Sequence, residues 1–250
     1  FESEDDSFPI KLNRAVNEYN NLYATTDEKV YQEADVVVVD VQLDIEKHEF
    51  GNSKNCSLAK RGFEKAIETL GQNINPNCLV LIETTVVPGF SRKVVEKILD
   101  KEFTKRGIDI LENPPRIAHS YERVMPGKNY LNSIRNYFRT YAGIDEKSVQ
   151  LAQKFLTEVV NTEEYPLRQE DCTEASELAK VLENSYRAVN IALIYEWTLL
   201  AEKMEINLFS VLNGIRKRAT HDNIMNPGFG VGGYCLTKDA LLAYWSAKNY

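Results

Sequence analysis

An α/β fold is predicted, with a parallel sheet followed by an all-helical domain built on one long central helix, and three observations carry the prediction. Two apolar runs, 35–41 (DVVVVDV) and 78–83 (CLVLIE), have the composition of strands buried on both faces. A helical pattern lies between them, so strand, helix, strand and loop follow in the order of an α/β layout. From Asp171 to about Met204 there is no glycine or proline and apolar residues recur at helical spacing. One helix of roughly 30 residues there spans on the order of 45–50 Å, enough for a spine or a contact between subunits.

Taken in order, residues 1–20 are polar, with a weak helical pattern around 13–19. Leu22-Tyr23-Ala24 reads as a short extended stretch, and Thr25-Thr26-Asp27 as the cap of a helix to about Glu33. A helix over 57–72 separates the two buried strands, and the second strand ends in the loop Thr84-Thr85-Val86-Val87-Pro88-Gly89. Residues 91–106 form an amphipathic helix with Val94, Val95, Ile98, Leu99 and Phe103 on one face. Short strands are expected at 108–111 and 116–119 on either side of Asn113-Pro114-Pro115. A loop follows at 120–127 (SYERVMPG), then a helix at 146–160 and a strand around 160–165. Composition changes near Glu170, where the long helix begins. A shorter helix (207–217), a glycine loop and a closing helix (238–248) complete the chain.

A chain of 250 residues buries a large core as one domain or two. Its net charge of −7 argues against a general nucleic-acid or anionic-membrane surface, while leaving room for a local phosphate pocket. The four cysteines, Cys56, Cys78, Cys172 and Cys235, are widely spaced, with no histidine at ligand spacing, so neither a metal site nor a disulfide framework is expected. His48, His119 and His221 lack partners at meaningful spacing and receive no role. No apolar run reaches membrane-spanning length and the acidic N-terminus is unlike a signal peptide, which points to the cytoplasm.

Chemistry concentrates in residues 226–239, NPGFGVGGYCLTKD. Gly228, Gly230, Gly232 and Gly233 lead to Cys235, and then to Thr237 as the cap of a helix that opens with Lys238 and Asp239. Glycines let backbone N–H groups approach a ligand closely, so the run suits a loop around a phosphate or sugar. A cysteine just ahead of a helix N-terminus stands where positive potential favours a thiolate, hence a nucleophile. The plain alternative is a flexible turn beside an inert cysteine.

The string GFGVGGYCLTKD resembles the GGYCLPKD signature around the active-site cysteine of the nucleotide-sugar 6-dehydrogenases, the family of UDP-glucose, UDP-N-acetylhexosamine and GDP-mannose dehydrogenases. Thr237 stands where that family often carries proline. The resemblance covers nearly all of the chain. It implies a partial Rossmann-like parallel sheet, with the first βαβ unit outside this sequence, over 1–168. The implied helical central domain, 169–250, carries the cysteine loop and the dimer contact. No GxGxxG follows a strand in the α/β part, so the chain alone is expected to bind NAD weakly and to be inactive.

Lys180 and Asn184 share a helix face four residues apart, in ELAKVLENSYRAVNIAL, which resembles the family's ELxKxxxNxxRAxxIA helix. The resemblance makes Lys180 the stabiliser of a developing oxyanion and Asn184 a donor beside it. The alternative is a solvated helix face. Thr84-Thr85-Val86-Val87-Pro88-Gly89 resembles the family's STVPPG loop, which gives Thr85 the ordering of a water near substrate and cofactor. A Pro-Gly turn alone also accounts for that loop. Asp239 then shares the water, Lys238 and Val41 lie at the cofactor, and Gly230, Gly232 and Gly233 wrap the substrate with Lys180 and Asn184. Glu122 resembles the glutamate of the PERVxPG loop that activates water for thioester hydrolysis, with Tyr121 where that motif has proline. Its alternative is a surface ion pair.

The implied function is NAD-dependent, two-step oxidation of a nucleotide sugar, a UDP-sugar foremost, at its C6 alcohol to the uronate through a Cys235 thioester. Two readings stand beside it: a catalytically incomplete dimerising or sugar-nucleotide-binding module, and a single-step hydroxyacid-type dehydrogenase relative that has no use for Cys235. A homodimer through the long helix is expected, since Leu182, Val189, Leu193, Trp197 and Leu200 place apolar surface on more than one side. Neither nucleic acid nor membrane is an expected partner.

Overall fold

The computed structural model describes residues 4–49, 54–125 and 127–249. The polar opening carries a helix earlier than 13–19: α1 (Ser7–Asn13) continues through Arg14–Glu18. The Asp27 carboxylate caps the turn Glu28–Glu33 by accepting the Lys29 N–H at 3.0 Å. The valine run then forms β1 (Val36–Val39). A hairpin follows, β2 (Asp44–Lys47) antiparallel to β3 (Cys56–Ala59), with Ile45 opposite Leu58. The helix expected from residue 57 therefore begins only at Arg61, as α2 (Arg61–Asn73), because 56–59 is taken up by pairing with 44–47. That partnership depends on a distant segment and leaves no local periodicity.

Beyond α2 come β4 (Leu79–Ile82), a helical stretch of wide turns at Ser91–Glu96 and α3 (Lys97–Lys105). The strand expected at 108–111 is a turn. After Gly107 the Asp109 carboxylate accepts the Leu111 N–H at 2.9 Å, and Leu111 is 89% exposed. β5 (Arg116–His119), α4 (Tyr130–Arg135), β6 (Thr140–Gly143) and α5 (Glu146–Val159) follow. The strand expected around 160–165 is instead a turn closed by Tyr165 N–H on the Asn161 carbonyl (2.9 Å), and pairing resumes at β7 (Arg168–Gln169). The long helix is α6 (Thr173–Lys203), 31 residues, trailed by α7 (Leu208–Ile215) and α8 (Tyr234–Asn249).

The sheet runs in the order β1-β4-β5-β6-β7, with β1, β4 and β5 parallel and β6 antiparallel to β5. Between β5 and β6 only the six-residue α4 intervenes, which is no crossover helix, so the chain returns alongside β5 in the opposite direction. Leu79 and Leu81 face Val149, Ala152 and Leu156 of α5, while Val80 and Ile82, also fully buried, point to the opposite face. Each such side chain contributes about 1.5–3 kcal/mol by leaving water. β1 stands at the sheet edge among the described residues and leaves Val38 40% exposed, where the sequence predicts a strand covered on both sides.

Two units divide the chain, Phe1–Leu43 with Lys60–Leu178 and Asp44–Ala59 with Ala179–Tyr250. In the second, Ile194 and Ala201 of α6 pack with Leu208 and Leu212 of α7, and the β2–β3 hairpin lies against α8. No helix among the described residues is long and apolar enough to cross a membrane.

Candidate active site

α8 begins at Tyr234, one turn earlier than the sequence suggests. Thr237 is therefore no cap, and its hydroxyl bonds back to the Gly233 carbonyl at 2.9 Å inside the first turn. Cys235 thus lies within the helix N-terminal turn and is exposed, whereas the inert-cysteine alternative needs it buried. Gly233 makes the entry with φ +79°, a conformation closed to most side chains. Gly232 is exposed, and Gly230 lies half-buried against the Tyr195 ring. The segment leading into this loop is pinned by Arg216, whose guanidinium donates to the carbonyls of Ile224 (2.8 Å) and Met225 (3.1 Å) and to Asn226 Oδ1 (2.7 Å).

One turn after Cys235 on the same face of α8 is Asp239, 1% exposed. Its Oδ1 pairs with Lys238 Nζ at 2.7 Å and its Oδ2 accepts from Asn184 Nδ2 at 2.6 Å. Lys238 Nζ also sits 5.7 Å from the centre of the Tyr234 ring. Lys180, one turn before Asn184 on α6, is only 8% exposed, which a solvated helix face does not permit. The second unit therefore gathers two buried ammonium groups, one buried carboxylate, an oriented amide and an exposed thiol. Donors held in this way stabilise charge that develops on a bound oxygen.

The other sequence-derived residues stand in the first unit, beyond the carboxyl ends of the parallel strands, where open α/β sheets bind ligands. After β1, the Val41 carbonyl accepts from Thr84 Oγ1 at 2.7 Å, which ties the Thr84-Thr85 loop to the end of that strand. Thr85 is half-buried. Glu83 carries its carboxyl above the usual range because it is buried, although Arg139 Nη2 donates to it at 2.6 Å. After β5, the half-buried Glu122 accepts the Val124 N–H, while Arg123 donates to the Phe138 carbonyl (2.8 Å) and the Tyr121 hydroxyl (2.7 Å). No group of three or more His, Cys, Asp or Glu among the described residues is placed to hold a metal ion.

Sequence reasoning passed over Glu177, which is fully buried and accepts the N–H groups of Gly89 and Ser91 (2.8 Å). The signal was present: Ser176, Lys180 and Asn184 recur every four residues along one stripe of the helix, with Glu177 beside them.

Residues 6–159 match the family model described as the UDP-glucose/GDP-mannose dehydrogenase family NAD binding domain, and residues 174–250 match that family's central domain. The chain belongs to this family. Among curated relatives of the dehydrogenase family, it is 30% identical over 252 residues to a UDP-N-acetyl-D-mannosamine dehydrogenase of Methanocaldococcus jannaschii, covering 100% of this chain and 52% of that protein. It is 33% identical over 188 residues to a UDP-N-acetyl-D-mannosamine dehydrogenase of Pyrococcus horikoshii, covering 74% of this chain and 42% of that one. The solved UDP-D-ManNAc dehydrogenase of Pyrococcus horikoshii superposes with a TM-score of 0.80 at 27% identity, over 98% of this chain and 54% of that one. The chain thus spans about half the length of these relatives.

The cofactor that the family match indicates is NAD. A cavity of about 630 Å³ runs along the free edge of β1 to Asp40 and Val41, lined also by Thr25, Thr26 and Leu70. The carboxylate and hydroxyls suit ribose, and the aliphatic walls suit the face of a base, so the lining fits a nucleoside portion of the dinucleotide. Among the described residues no lysine or arginine lines it to meet the diphosphate.

Proposed function

We propose that this chain carries the catalytic cysteine region of a UDP-N-acetylhexosamine 6-dehydrogenase, which oxidises the C6 alcohol to the uronate in two steps. The supporting observation is the cluster of Asn184, Lys238 and Asp239 joined by direct contacts, with Cys235 one turn away on the same helix face and Lys180 buried beside Asn184 in sequence. The names of the curated relatives support the N-acetylated sugar.

In this reading Val41, Thr85 and Lys238 would hold NAD, which would supply the hydride acceptor for both oxidations. Lys180 and one N–H of Asn184 stabilise negative charge on the C6 oxygen. The Cys235 thiolate adds to the aldehyde carbon and keeps it bound, and a thioester is left after the second oxidation. A water, activated by Glu122 and ordered by Thr85 and Asp239, attacks the thioester carbonyl and releases uronate and thiol. Gly230, Gly232 and Gly233 let the loop close on the sugar. Four free cysteines suit a reducing compartment, which supports the cytoplasm. The reading requires two reduced cofactors per uronate. Stoichiometry measured on the enzyme with UDP-N-acetylmannosamine tests it, and one reduced cofactor per sugar would move the chain to the single-step class.

The same reading includes a homodimer through α6. Leu182, Val189, Leu193 and Leu200 are 51%, 65%, 45% and 57% exposed, apolar surface of the kind a partner subunit covers. Sedimentation at high micromolar concentration is expected to show a dimer. A monomer with its helix content intact by circular dichroism overturns that expectation.

A further inference from the structure

Residues 84–90, which carry Thr85, are tied at both ends to segments distant in sequence. At the near end, Thr84 Oγ1 donates to the carbonyls of Val39 (3.2 Å) and Val41 (2.7 Å). At the far end the chain turns through Gly89 at φ +80° into the helical stretch that opens at Ser91, and Phe90 supplies no side-chain cap there. The acceptor comes instead from α6: the Glu177 carboxylate takes the N–H groups of Gly89 and Ser91, 88 and 86 residues away in sequence. We propose that Glu177 is a positioning residue for the Thr85 loop, a carboxylate supplied by the long helix that fixes the loop's far end and so the place of the Thr85 hydroxyl.

The inference rests on the role given to Thr85 above. A carboxylate suits the task because it accepts at two oxygens and meets the positive end of the helical stretch. Lys180, itself buried, follows one turn on along α6. Glu174 lies one turn back on α6 and pairs with Arg92 at 3.7 Å; from β5, His119 Nδ1 lies 2.8 Å from Ser176 Oγ. Burial pushes the Glu177 carboxyl up to about 7, against the pull of the Ser91 and Gly89 hydrogen bonds. A proton on one oxygen removes an acceptor, so the clamp is complete above neutral pH and loosens as pH falls through 7.

Hydrogen exchange of the enzyme, corrected for intrinsic pH dependence, reads the clamp directly. In the wild type, protection of residues 86–93 is expected to fall from pH 8 to pH 6; in Glu177→Gln, which keeps the shape and cannot ionise, that pH dependence should vanish. Glu177→Gln should also lower kcat by about 10- to 100-fold, as a misplaced reacting group does, and the loss should largely disappear in a Thr85→Val background. Unchanged protection, pH dependence surviving in Glu177→Gln, or additive effects of the two substitutions would each overturn the proposal. A Thr85→Val enzyme with normal kcat would overturn the role of Thr85 instead, and the exchange result would stand apart from it.

Discussion

Replacing Cys235 with serine is expected to leave nucleotide-sugar binding within a few-fold and to cut uronate release by about 10³-fold or more, the scale on which losing a nucleophile acts elsewhere. The thiol is exposed in the first turn of α8, open to an incoming carbonyl carbon. A serine hydroxyl there is a far poorer nucleophile at neutral pH, and an ester is a poorer acyl donor to water than a thioester. Cys235→Ala removes covalent capture altogether, so aldehyde is expected to escape and be trapped by an added amine reagent. A thiol reagent should modify Cys235 well before Cys78, which is 2% exposed and whose burial pushes its thiol up to about 11. Bound nucleotide sugar should protect Cys235. A Cys235→Ala enzyme that made uronate at the normal rate would end the covalent reading.

Lys180→Met is expected to lower kcat by about 10²–10³-fold, a loss of about 2.7–4 kcal/mol if Lys180 behaves as other oxyanion donors do, with KM changed only a few-fold. The split follows from where the charge is needed. Lys180 is 8% exposed, so its field is poorly screened, and in the proposed mechanism it gains most when the C6 oxygen acquires negative charge. Methionine keeps most of the buried stem, so packing around α6 is retained and circular dichroism can verify it. Equal kcat in the two enzymes would show that Lys180 has a packing role, and a rise in KM alone would assign it to uniform binding.

How much of this was legible in the chain differs from element to element. Leu79–Ile82 and Thr173–Lys203 announced themselves because each is specified by its own side chains: a run of aliphatic residues between turn signals suits a strand, and an uninterrupted helical pattern needs no distant partner. The candidate site residues were named another way, because Cys235, Lys180 and Thr85 lie in short contiguous strings that resemble motifs of one family.

The remainder is set by groups that meet only after folding. Residues 56–59 read as the start of a helix and became a strand because 44–47 lies opposite them, and β6 runs antiparallel because the connection from β5 holds no crossover helix. The bond from Asn184 to Asp239 joins residues 55 apart, and that from Glu177 to Gly89 joins residues 88 apart, so neither leaves a local pattern. Local periodicity determined the strands and helices that need no distant partner, and short strings that resemble a known family named the candidate site residues. Tertiary structure alone decided which polar groups are taken out of water and paired, because burial and hydrogen bonding across such separations exist only once distant segments are brought into contact.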